Sequence, residues 1–270
     1  MLVPQGLSRQ RAFPMPEPVA LAAEAAPRAP FVHLHAHSMY SLYDAIGDVG
    51  DLVARAKELG YDAVALTDHG GLYGAIEFYE AAKKAGIKPI IGVEAYIAPN
   101  KLTDKRSGID NHVSHLTLLA ETTEGYRNLL TLISVSFLEG FYYKPRMDKE
   151  LLRARRQGII ALSGCAKGEI AKACQAHDLD KAETVIRQYQ EIFGTENFFL
   201  ELVYRPESPT QLQINEVLIE LSKKTGAPVV ATKNTHYLHE DDREAQDALV
   251  CIHDGKLLAE IEKLIKRKLD

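Results

Sequence analysis

From residue 31 onward, short apolar runs alternate with stretches of helical period. The runs at 31–37, 61–67, 89–97, 115–120, 159–163, 198–203 and 228–232 are rich in Val, Ile, Leu and Phe and read as seven buried strands. Between them, residues 49–59, 72–85, 123–138, 149–157, 169–176, 179–193 and 210–224 are predicted to be helical, with a further helix starting near 241. The punctuation agrees. Asp48 and Asp148 stand at N-cap positions, and Gly60, Gly86 and Gly226 lie just past helix ends. Strands alternating with helices predict parallel βα units. Seven buried strands suit a closed or nearly closed α/β barrel, with an open doubly wound sheet as the competing layout.

The ends of the chain break this pattern. Residues 1–30 are rich in Ala and Pro with scattered charge, and Glu17 and Glu24 interrupt the only stretch resembling a secretory signal, so a disordered tail is expected. The barrel is expected over 31–256, followed by a basic, amphipathic helical extension at 257–270. With 270 residues and 46% hydrophobic content, there is material for one large barrel. The net charge of −5 excludes a nucleic-acid binder that works by bulk charge, so any such contact must be local. Three irregularly spaced cysteines point to a reducing, cytoplasmic setting rather than a disulfide framework. No apolar run is long enough to cross a membrane, so no membrane partner is expected. The absence of a glycine-rich phosphate loop after any strand argues against a nucleotide cofactor.

In parallel α/β folds function gathers at the carboxyl ends of the strands, and ligand-type residues recur there. The first strand carries His33, His35 and His37, which strict alternation puts on one face. Asp44 follows in the loop. The second strand ends in Thr67-Asp68-His69-Gly70, the third holds Glu94 in an apolar run, the fifth ends in Ser163-Gly164-Cys165, and the seventh leads into Lys233-Asn234-Thr235-His236. His115 fits less well, because it opens its strand. Imidazole, carboxylate and thiolate are the donors that bind zinc- or manganese-like ions, and a carboxylate in an apolar strand is costly unless paired or metal-bound. Each residue has a plainer reading. His115 would be a core or surface histidine, Cys165 a small apolar filler, Asp44 a helix cap, and Glu94 the partner of a lysine. Asp68 is read as bonding backbone in its own loop, and His112, His177, His239 and His253 as surface residues.

The segments HLHAHS (33–38), LTDHG (66–70), GVEAY (92–96), HLTLLA (115–120), LSGC (162–165) and ATKNTHYL (231–238) together resemble the PHP (polymerase and histidinol phosphatase) family. SLYDAIG (41–47) and GFYYKPRMDKELL (140–152) are most similar to the branch found at the N-terminus of bacterial DNA polymerase III alpha subunits. The resemblance covers roughly 31–256 and implies a distorted (β/α)7 barrel with three divalent ions, zinc or manganese. It implies that His33, His35, Glu94 and residue 234 hold one ion, that Asp44, His69 and His236 hold a second, and that Glu94, His115 and Cys165 hold a third. Catalytic work would fall to Asp44, Glu94 and His236, while His37 would lie outside the ligand set. Two departures stand out. Asn234 and Lys233 replace the family's usual Asp and Asn, and a neutral amide binds a cation more weakly than a carboxylate.

The implied function is metal-dependent phosphoester hydrolysis, first as a 3′–5′ exonuclease on DNA ends, in which ions stabilise the attacking and leaving oxygens. Lys144, Arg146, Arg205 and Lys233 are the candidate phosphate contacts, and Tyr40, Tyr142 and Tyr143 the candidate base-stacking residues. Other polymerase domains or replisome subunits are the implied partners. The competing readings are a structural module that keeps metal only for stability, and a small-molecule phosphatase of the histidinol-phosphate type. The palm-type catalytic carboxylates of a polymerase are not in these segments.

Overall fold

The computed structural model describes residues 31–255. The expected tail at 1–30 and the extension at 257–270 lie outside the described residues.

The chain forms a mixed α/β fold around a curled sheet. Its strands are β1 (Ala63–Leu66), β2 (Lys88–Ile97), β3 (Ser114–Ala120), β4 (Arg146–Met147), β5 (Ile159–Leu162), β6 (Phe198–Val203) and β7 (Val229–Thr232). The sheet order is β1-β2-β3-β5-β6-β7, with the short β4 paired to β2. The helices follow the expected order: α1 (Val49–Glu58), α2 (Ala75–Ala85), α3 (Thr123–Leu138), α4 (Lys149–Ala154), α5 (Glu169–Gln175), α6 (Leu179–Phe193), α7 (Pro209–Thr225) and α8 (Arg243–His253). Asp48 and Asp148 accept from Gly50 and Leu151 backbone N–H groups as N-caps. Gly86 and Gly226 end their helices in the left-handed conformation that glycine tolerates best.

Two expectations are corrected. The sheet is not all parallel, because β3 runs antiparallel to both β2 and β5. The 98–113 connection contains no helix to carry the chain back across the sheet, so β3 returns in the opposite direction. This also explains His115. Because β3 is reversed, its first residues lie at the end of the sheet where the parallel strands finish, and Tyr96 near the end of β2 pairs with His115. The second correction concerns residues 31–37, which form no extended ladder. They make single bridges, His33 to Val64 on one side and Ala36 to Thr235 on the other. The segment thereby spans the gap between β1 and the chain just after β7, with Thr67 N–H donating to Ala36 and His37 N–H to Thr235.

Inside the curl, Ala65, Leu119 and Leu162 pack with Leu34, Ile90, Ile160, Phe199 and Val230. Because side chains alternate along a strand, residues two or four positions towards the ligand end share that inner face, which in the reversed β3 means two positions earlier. They include Thr67, Glu94, Thr117, Glu201 and Thr232, and all five are buried. An apolar layer thus lies under a polar one. Outside, α3 to α7 pack with the sheet in one large cluster, and α1 and α2 pack on β1 in another that includes Ala36.

Candidate metal centre

Glu94 is the hub. Its Oε1 lies 2.7 Å from His115 Nδ1 and accepts from the Cys165 thiol at 3.3 Å. Around Oε2 stand His35 Nε2 at 3.2 Å, His37 Nε2 at 3.0 Å and His69 Nδ1 at 3.2 Å. These four atoms are buried, yet none has a hydrogen-bond partner of proper geometry. Unpartnered buried polar atoms cost on the order of 1–3 kcal/mol each, so four facing one another need an occupant. Their chemistry, three imidazole nitrogens and a carboxylate oxygen, fits a divalent cation. Among the described residues, three overlapping sets of donors lie close enough to hold an ion: His35, His37 and Glu94; His69, Glu94 and His115; and His37, His69 and His236.

The outer side is built around Asp44. Its Oδ2 lies 2.7 Å from His69 Nε2 and 3.6 Å from His236 Nε2. Asn234 holds a left-handed backbone, φ +49°, which asparagine tolerates better than most residues. Its Oδ1 is also buried without a hydrogen-bond partner. Cys165 reaches Glu94 because Gly164 precedes it with φ +82° and its backbone lies against the His115 carbonyl, where a Cβ would come within 2.7 Å.

Electrostatics reinforce the arrangement. Burial opposes ionisation of Glu94, but His35, His69 and His115 outweigh it and hold the carboxyl well below the usual range. Burial likewise works against the charge of Asp44, and His236 and His69 overcome it, so that carboxyl is depressed too. Burial, with His236 nearby, keeps His37 neutral, and burial lowers His115. Neutral imidazole is the form that binds metal. The Cys165 thiol is pushed up by burial and then by the Glu94 charge.

The three histidines of the first segment follow neither expectation: alternation puts all three on one face, and the resemblance implies His33 and His35 as ligands with His37 outside the set. His37 is inside the cluster, and His33 is outside it. The chain bends at His35. Before the bend, Leu34 points into the inner apolar layer and His33 lies edge-on to Tyr61, their ring centroids 5.3 Å apart, beside the outer α1/α2 cluster. After it, Ala36 packs outward. The bend breaks the two-residue period, so His35 and His37 face Glu94 together while His33 does not. Burial, with Lys233 adding to it, lowers the His33 pKa to about 4.

The four basic residues also separate. Arg146 is fully buried, and its guanidinium donates to the carbonyls of Gly140, Asp110, Leu102 and Asp104 at 2.7–2.9 Å. It braces the 98–113 connection and cannot reach a substrate. Its sequence neighbours suggest a loop cation, but the pairing of β4 with β2 places it beneath the 98–113 connection, where its four carbonyl partners lie. Lys144 lies over the Tyr96 ring, 5.3 Å from its centroid, and that ring is 5.3 Å from His115 and 5.8 Å from His69. Arg205 is exposed and pairs with Glu207. Lys233 is exposed beside the Asn234 turn. Tyr40 donates to Glu77, and Tyr142 and Tyr143 pack on each other. His112, His177, His239 and His253 are exposed.

Two buried acidic residues support the histidine segment. Asp68 does not bond its own loop. It accepts from the Ser38 N–H at 2.7 Å, the Ser38 hydroxyl at 2.8 Å and the Ser41 hydroxyl at 2.7 Å, tying down the loop after the histidine segment. Ser41 Oγ is also 2.9 Å from His37 Nδ1. Glu201 was missed by sequence reasoning, although it carries the same signal as Glu94: a carboxylate within an apolar strand, FFLELV. It is buried 2.6 Å from His35 Nδ1. Burial opposes a charged His35 ring, but Glu201 and Glu94 on either side outweigh it and raise its pKa to about 10.

The comparisons with known proteins agree with this geometry. The model of the PHP domain family matches residues 33–204. The DNA polymerase III subunit alpha of Borreliella burgdorferi is 44% identical over 229 residues, covering 84% of this chain and 20% of that protein. The one from Saccharopolyspora erythraea is 42% identical over 252 residues, covering 86% and 21%. The chain thus spans about a fifth of the length of these relatives. Among solved structures, a two-domain protein from Bacteroides vulgatus described as containing a PHP-like metal-dependent phosphoesterase is far more distant. It has 19% identity, covers 79% of this chain and 55% of that one, and has a TM-score of 0.46. With the family model spanning most of the described barrel, the chain belongs to the PHP domain family.

Proposed function

We propose that this chain is the PHP domain of a DNA polymerase III alpha-type protein and acts as a metal-dependent phosphoesterase, a 3′–5′ exonuclease on DNA ends. The observation that carries the reading is the set of four unpartnered atoms around Glu94 Oε2. Three divalent ions, zinc or manganese, would be held by His35, His37 and Glu94, by His69, Glu94, His115 and Cys165, and by Asp44, His236, His69 and Asn234. Bound ions would supply Lewis acidity to the phosphoryl group and to the attacking and leaving oxygens.

The chain's own residues do the rest. Glu94 fixes the spacing of the imidazoles from the buried side. Asp44, the more exposed carboxylate of the centre with a quarter of its side chain accessible, stays ionised, helps hold the outer ion and orients an incoming water by accepting its hydrogen bond, and His236 beside it steers that carboxylate. Lys144, held against Tyr96 at the rim, and the exposed Lys233 neutralise phosphate charge. Arg205 would join them only by leaving Glu207. Other polymerase domains or replisome subunits are the partners this reading implies. Protein reconstituted in turn with manganese, zinc and cobalt is expected to release nucleotides from a 3′-ended primer, and faster than it releases phosphate from a phosphomonoester. No release with any of the three metals would sink the proposal.

Asn234 favours a second reading, a module that keeps metal for stability. Its neutral oxygen would make the outer ion the most weakly held. Asn234→Asp is expected to raise the affinity for that ion about 10-fold and to raise turnover with it, measured by metal titration and primer cleavage. A gain in melting temperature with turnover unchanged would favour the structural reading.

A further inference from the structure

The inner face of the curl holds a second buried carboxylate that the proposed hydrolysis does not use. Glu201 projects from β6, 1% exposed, directly behind His35. One oxygen lies 2.6 Å from His35 Nδ1 and takes the Thr232 hydroxyl at 2.6 Å. The other takes the Thr117 hydroxyl at 3.3 Å. The Glu201 N–H itself donates to the Ser163 hydroxyl at 2.8 Å. Groups from β3, β7 and the histidine segment therefore converge on one side chain, the end of β5 holds its backbone, and none of these groups is exposed.

A carboxylate that already accepts from two hydroxyls can only accept from the imidazole as well. The proton between His35 and Glu201 must then sit on Nδ1. With Nδ1–H held in this way, the nitrogen that gives up its proton to a metal ion is Nε2, the unpartnered nitrogen that faces Glu94. Backbone hydrogen bonds to Ala65, Thr67 and Thr235 hold the main chain of the histidine segment, but they leave the rotation of the imidazole ring about its own side-chain bonds to be set by what the ring touches. A hydrogen bond on the nitrogen opposite the metal is the general way in which proteins set the orientation and basicity of a ligating imidazole.

We propose that Glu201 is the positioning residue of the metal centre: with Thr117 and Thr232 it clamps His35 Nδ1 and presents Nε2 to the ion held with His37 and Glu94. This rests on the metal reading of that centre. The test uses Glu201→Gln, nearly isosteric, and Thr232→Val, which removes one support of Glu201 without touching His35. Zinc and manganese are titrated into each metal-free protein. Melting temperatures of the metal-free forms are measured alongside, and the His35 Nδ1 proton is followed by 15N NMR in the zinc-loaded forms.

Glu201→Gln is expected to weaken the affinity about 10- to 100-fold and to move or broaden the Nδ1–H signal. Thr232→Val should show the same changes to a smaller degree. A lower melting temperature with unchanged affinity and an unchanged Nδ1–H signal would make Glu201 merely structural and overturn the proposal. Failure of the unsubstituted protein to take up either metal would instead overturn the metal reading, and this inference with it.

Discussion

Glu94→Gln is expected to empty the metal centre and remove hydrolysis. The amide keeps the size of the side chain but loses the charge shared by His35, His37, His69 and His115. It also sets either an N–H group or a weaker oxygen where Oε2 faces three ring nitrogens. Loss of the carboxylate from two of the three donor sets, and of the hub next to the third, should cost at least about 1,000-fold in metal affinity, which is about 4 kcal/mol at 1.36 kcal/mol per decade. The metal-free protein should suffer as well. Removing one partner of a buried ionic cluster typically costs about 3–5 kcal/mol, which for a domain of this size is a fall in melting temperature of roughly 10 °C. Metal content by mass spectrometry and calorimetry of the metal-free variant check both parts. A variant that retained its full metal content would refute the central role given to Glu94.

Arg146→Met is expected to do the opposite, destabilising the fold while sparing the metal centre. Methionine fills much of the same space but leaves the carbonyls of Gly140, Leu102, Asp104 and Asp110 without their donor. Each buried carbonyl left unpaired costs on the order of 1–3 kcal/mol. Some will find water, so a loss of about 4 kcal/mol is expected. Arg146→Lys should recover only part of it, because an ammonium cannot fork to four acceptors. Hydrogen exchange should accelerate first in residues 98–113, the connection that the guanidinium braces. Metal affinity should stay within about twofold, since no donor of the centre touches Arg146. Had Arg146 been a phosphate contact, its loss would weaken DNA binding at unchanged stability. The two outcomes are easily told apart by a melting curve and a DNA titration.

The patterns most readable from sequence were those enforced by local chemistry. Helices α3 and α6 begin and end at the residues that apolar periodicity and capping indicate, because a helix satisfies its own backbone and needs only an amphipathic face. Strands β3 and β6 were as clear. Strand β4 was invisible at two residues, and no local rule reports that β3 runs backwards, since strand direction depends on whether the connection crosses the sheet. Glu94 was legible as a charge where charge is costly. Glu201 carries the same signal in FFLELV, but its strand ends in no ligand-type motif to mark it. His33 faces away although the resemblance implies a ligand there, because the bend at His35 resets which face each side chain takes and a strict two-residue period does not hold across it.

The amino-acid sequence by itself determined the order of the helices and of six of the strands, the family, and the pool of imidazoles, carboxylates and thiol from which a metal centre could be drawn. These are properties of composition, spacing and local hydrogen bonding. Only the tertiary structure decided which members of that pool meet. It turned His37 inward and His33 outward, brought His115 to the ligand end by reversing β3, set Glu201 behind His35 and sealed Arg146 under the 98–113 connection. Each of those outcomes depends on how distant strands pair and close around a shared interior, and a carboxylate such as Glu94 acquires its chemistry only from the groups that closure brings to it.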